Sequence, residues 1–170
     1  MQRPASVTTF GILNIIFAAV GVFALLTSIA FFFVPTTSQN PVVRIMHENR
    51  AYMTWMLLTI PLGLVSSGAL LAAGIGLLLL KPWARILSIG YAIYAILSGL
   101  IGTILNAVFL LPPLLEEASR KQGPEAAGAI GGAVGGTVGG CVGLIYPILL
   151  LIFMTRPKLI EAFRPPGAQF

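Results

Sequence analysis

Four long stretches without a single charged residue decide what this chain can become: residues 7–34, 52–80, 86–111 and 126–154. A predominantly apolar run of about 20 residues suffices to cross the hydrocarbon core of a bilayer as a helix. Each run here is longer than that. At a helical rise of 1.5 Å per residue they span roughly 40 Å against a core of about 30 Å, so the helices must tilt, kink or reach into the headgroup layer. Composition closes the soluble alternative. Charged residues make up 9% of the chain and hydrophobic residues 57%, whereas soluble domains carry about 25% charge. The expected fold is therefore an all-α membrane protein, a four-transmembrane-helix bundle with short interfacial helices, built as a single domain over residues 1–170.

The first run follows Arg3 and could be mistaken for a signal peptide. Its 28 residues far exceed the roughly 7–15 of a signal h-region, and no clear small-residue cleavage site follows, so it reads as a retained first span. The turn Lys81-Pro82-Trp83-Ala84-Arg85 separates the second and third runs and forces them into antiparallel neighbours. Lys81 and Arg85 can snorkel to headgroups, and Trp83, with Trp55 at the start of the second run, suits the aromatic belt of a membrane interface.

Basic residues set the expected orientation. Arg3, Lys81, Arg85, Arg156, Lys158 and Arg164 fall on one side, and Arg44, Arg50, Arg120 and Lys121 on the other. Six against four places the first side in the cytoplasm, with both termini and the tail 155–170 inside.

Short helices are expected between the spans. Asn40-Pro41 is a cap followed by a proline at the first helical position. Pro112-Pro113 should end the third span. Residues 114–122 should then form a helix laced by Glu116–Arg120 and Glu117–Lys121 pairs at spacing four. In the tail, Leu159, Ile160 and Phe163 alternate with charges, as in an interfacial helix. Pro61 and Pro147 are expected kink positions in the second and fourth spans.

The chemistry-bearing residues are sparse. The chain has no Asp, one His (His47) and one Cys (Cys141). A zinc site needs three or four ligands, so no metal site is expected, and an internal disulfide is impossible. Nucleophile-elbow, zincin and phosphate-loop motifs are absent, so no catalytic residues, cofactor or enzymatic activity are expected. The ten basic residues form no clustered face, which excludes a nucleic-acid partner. The expected partner is the lipid bilayer, with a second copy of the chain or another membrane protein. Within the spans the polar groups that stand out are Asn14 and Asn106, each needing a hydrogen-bond partner in lipid.

The fourth span carries the most unusual pattern. Gly128, Gly132, Gly136 and Gly140 form one stripe at spacing four, and Gly131, Gly135, Gly139 and Gly143 form a second beside it. Together they make a flat face of the glycine-zipper kind, suited to close packing of another backbone. Smaller stripes lie at Gly68, Ala72 and Gly76 and at Ala95, Gly99 and Thr103.

The strings Arg3–Asn14 and Gly74–Ile93 resemble small uncharacterised bacterial membrane proteins with four predicted spans. The resemblance implies a multi-pass protein, with a bacterial inner membrane as its location, and no activity. The expected function is that of a non-enzymatic membrane protein acting through helix packing and assembly with itself or a partner. The alternative is a small channel or transporter with a glycine-lined fourth span.

Overall fold

The computed structural model describes residues 5–33 and 40–157. Among them the chain is helical with no strand, and four helices are long and apolar enough to cross a membrane. The helices are α1 (Ala5–Phe32), α2 (Pro41–Glu48), α3 (Arg50–Leu78), α4 (Pro82–Leu105), α5 (Leu111–Arg120) and α6 (Pro124–Met154), with a π-helical turn at Asn106–Leu110. The protein is thus an all-helical four-span membrane protein with two short amphipathic helices. The interfacial helix expected in the tail lies largely outside the described residues.

Local chemistry explains where the helices begin and end. The Asn40 side chain accepts from the Val42 amide at 3.0 Å, and Pro41 occupies the first turn of α2, as its lack of an N–H permits. Asn49 then serves two helices. Its backbone N–H donates to Ile45 O and closes α2, while its side chain accepts from the Tyr52 amide at 3.0 Å and opens α3. After α3 the chain turns in a Schellman arrangement: Lys81 N–H donates to Gly76 O, and Leu80 N–H to Leu77 O. The residue at the left-handed position is Leu80, with φ 53°, where glycine is usual. Its side chain packs against the core, which offsets the backbone strain.

One boundary differs from expectation. Pro112-Pro113 does not end the third span. The helix runs on from Pro82 to Arg120, and the prolines sit in the first turn of α5. The π turn immediately before them supplies the reason. Leu111 N–H donates to Asn106 O, five residues back, and the widened turn accommodates rings that would otherwise crowd carbonyls four residues earlier. Pro61 and Pro147 also lie inside unbroken helices, α3 and α6.

The chain divides into two compact units, with the boundary falling inside each long helix. Among the described residues, one comprises 5–24, 63–96 and 146–157. Its core joins α1, α3, α4 and α6 through Val7, Phe10, Leu70, Leu77, Ala84 and Leu150. The Phe10 and Phe153 rings pack with centroids 4.9 Å apart. The other unit comprises the described residues 25–33, 40–62 and 97–145, with a core of Ile45, Leu110, Leu114, Ala129 and Ala133. Outside these cores the long helices present large apolar side chains such as Phe23, Val65, Ile86 and Val138 to their surroundings. Such exposure would be costly in water and is what lipid tails demand.

Candidate functional site

The two glycine stripes of α6 part company in the structure. A Cβ added at Gly140 would lie 2.6 Å from Thr103 Oγ1, and one at Gly136 would lie 2.5 Å from Asn106 Nδ2. At Gly132 it would collide with Val42, and at Gly128 it would touch Pro41 at 3.6 Å. This stripe is occupied by side chains of the same chain. Gly131, Gly135, Gly139 and Gly143 are different: a Cβ at any of them meets nothing within 4 Å.

Behind this division lies a tetrad repeat that stripe-counting passes over: Gly131-Gly132-Ala133-Val134, Gly135-Gly136-Thr137-Val138 and Gly139-Gly140-Cys141-Val142. Within each tetrad the second glycine turns inward, joined by Ala133 and Thr137 at the third position of the first two, while the first glycine and the valine turn outward. The outward face is therefore a glycine groove flanked by exposed Val134, Val138 and Val142. Cys141 is exposed at the edge of this face and does not fill a packed position.

Asn14 is fully buried at a junction of three helices. Its Nδ2 donates to Ser88 Oγ on α4 at 3.2 Å, and Tyr146 on α6 donates its hydroxyl to Asn14 Oδ1. The Ser88 hydroxyl in turn donates to Ala84 O at 2.9 Å, and Phe17 stacks on the Tyr146 ring at 4.0 Å. Close approach of α1 and α3 accompanies this junction: a Cβ on Gly74 would stand 2.8 Å from the carbonyl oxygen of Gly11. Sequence reasoning identified Asn14 but not its partners Ser88 and Tyr146, nor the Gly11–Gly74 crossing. A lone serine and tyrosine on separate apolar helices carry no pairing signal.

Asn106 opens the π turn and is 9% exposed, against Gly136. Tyr52 stands within hydrogen-bonding reach of it. Its Oδ1 is buried and has no hydrogen-bond partner.

The interface anchors have structural duties. Arg85 Nε donates to Met154 O at 2.8 Å, satisfying a terminal carbonyl of α6. Trp83, half exposed, lies over Gly76, and Trp55 lies near Gly102, 3.8 Å from where its Cβ would be. Lys81 is exposed.

Ionisable groups gather between α2 and α5. Arg44 pairs with Glu117, which Lys121 also reaches at 3.5 Å, and Lys121 pairs with Glu125. The Glu116–Arg120 pair closes at 2.5 Å, as the spacing predicts. Its hydrogen bond to Glu117 holds the Arg44 guanidinium above its ordinary value, and the bond to Glu125 does the same for the Lys121 ammonium. His47 is half-buried, and among the described residues no three His, Cys, Asp or Glu groups converge into a metal site.

Comparison with family models, with curated proteins and with solved structures finds no match to this chain. The functional reading therefore rests on the chain's own geometry.

Proposed function

We propose that this is a non-enzymatic membrane protein that works by assembly, and that the outward stripe Gly131-Gly135-Gly139-Gly143 of α6 is where a second copy packs. The observation that carries the reading is the open space over all four glycines beside a filled inward stripe. Glycine costs up to about 1 kcal/mol relative to alanine in a helix. A contact with lipid offers nothing in return, because lipid tails pack equally well against larger side chains. Close approach of another backbone does offer a return, through dispersion and short interhelical contacts. A second copy is the favoured occupant because a stripe running along one helix is complementary to itself about a two-fold axis. The channel reading has less support, since Val42, Asn106 and Thr103 occupy the inward glycine face.

Contrasting substitutions test this. Gly135→Leu and Gly139→Leu should abolish the oligomer in mild detergent while leaving the thermal stability of the monomer unchanged. Gly136→Leu should lower monomer stability instead, because the new side chain meets Asn106. An oligomer that survives both outward substitutions would overturn the reading.

The location proposed is a bacterial inner membrane with the Lys81–Arg85 turn in the cytoplasm. Cysteines at Gln122 and Thr155, in a Cys141→Ser background, should label from opposite sides of intact cells, Gln122 from outside. Labelling of both from outside would refute that orientation.

A further inference from the structure

A cleft of about 300 Å³ lies between α2 and α5, and its lining includes Arg44, Glu48, Glu116, Glu117, Arg120 and Lys121. These six charges sum to zero, three of each sign. They are not equally committed. Glu117, whose side chain is 11% exposed, forms the fixed base, held by Arg44 and Lys121. At the rim the commitments are weak. Glu48 is 70% exposed and comes only within 4.0 Å of Arg44. Glu116 and Arg120 are 60% and 74% exposed. Solvent-exposed pairs of this kind contribute little to stability, so their partners exchange readily for those of a ligand.

We propose that this cleft binds the headgroup of a phosphatidylethanolamine lipid, with the phosphate on Arg120 and the ammonium between Glu48 and Glu116. A ligand bearing one phosphate and one primary ammonium keeps the cleft neutral and pairs each rim charge with an opposite one. An anionic headgroup such as phosphatidylglycerol brings no positive charge to the two rim carboxylates, only neutral hydroxyl donors. A choline headgroup carries positive charge but no N–H to donate, and a carboxylate only accepts. The ammonium of ethanolamine donates charge-assisted bonds that choline cannot make.

Lipid is preferred over a soluble zwitterion because the helix supplying Glu116 and Arg120 is continuous with the third span. Exposed Val108 and Leu115 on that helix offer apolar surface for acyl chains beside the charged rim. Pro113 adds an apolar element to the lining itself.

The test is native mass spectrometry of the full-length protein in detergent, offered equal amounts of dioleoyl phosphatidylethanolamine, phosphatidylcholine and phosphatidylglycerol. Retention of phosphatidylethanolamine should exceed that of the other two by about tenfold, the factor a single charge-assisted hydrogen bond supplies. Successive N-methylation of the headgroup should erode the advantage stepwise as N–H groups are lost. The double variant Glu48→Gln/Glu116→Gln should bring phosphatidylethanolamine down to the phosphatidylcholine level with helical content unchanged, and Arg120→Gln should weaken its retention. Should a variant fail to fold, the methylation series on the unaltered chain decides. Equal retention of the three lipids, or a double variant that keeps the preference, would overturn the proposal. Soluble glycerophosphoethanolamine binding as tightly as the lipid would overturn the lipid assignment as well.

Discussion

The tripeptide Ile-Leu-Asn occurs twice, at 12–14 and at 104–106, and the two copies meet different fates. In both, the asparagine and the residue three positions earlier face glycines of another helix. Asn14 and Gly11 face Gly74, while Asn106 and Thr103 face Gly136 and Gly140. Small partners thus make room for a polar group at both places. In the first unit that room is filled: Ser88 and Tyr146 satisfy both ends of the Asn14 amide. In the second, Asn106 opens a π turn and its Oδ1 has no partner. Identical local sequence therefore sets the position of a buried amide, and the residues on distant helices decide whether it stabilises the fold. Satisfied, the amide acts as a strut between helices. Left with an orphan acceptor in an apolar setting, it carries the desolvation cost of that oxygen.

The largest effect should come from closing the room itself. Gly74→Leu forces a side chain into the carbonyl of Gly11, where backbone cannot yield, and should destabilise the protein by about 3 kcal/mol. Thermal unfolding in detergent reads this, and an unchanged midpoint would show that the α1–α3 crossing is not tight. Next is Asn14→Leu, which strands the Tyr146 hydroxyl and the Ser88 contact and should cost about 2 kcal/mol. The matched change Asn106→Leu sharpens the comparison. It takes Asn106 away from Tyr52 but also removes an unpartnered acceptor, so its cost should be the smaller of the two, within about 1 kcal/mol. Equal losses at the two asparagines would erase the distinction between them.

Much of the architecture was legible from residue type alone. Uncharged runs give the spans, Asn40-Pro41 gives the start of α2, and spacing-four charges give the Glu116–Arg120 pair, because each depends on neighbours along the chain. The third span misleads because Pro112-Pro113 reads as a stop. Whether a helix survives two prolines depends on the preceding turn widening, and no residue type announces a π turn. The glycines of α6 show the same divide. Their spacing marks them as a packing face, but spacing-four stripes at adjacent positions look alike in sequence. Only the placement of Asn106 and Thr103 on α4 and its π turn, and of Val42 on α2, distinguishes the filled stripe from the open one.

The open stripe is where the account stands or falls, and it can be probed in the bilayer itself. Copies inserted in one direction bring their α6 helices together in parallel, so identical residues near the middle of the stripe meet across the two-fold axis. In liposomes, a Cys141→Ser chain carrying Val138→Cys should convert to a disulfide-linked dimer on mild oxidation. The same chain carrying Leu97→Cys, an exposed position on α4, should remain monomeric. A Val138→Cys chain that stays monomeric, or equal cross-linking at both positions, would contradict assembly through this face of α6.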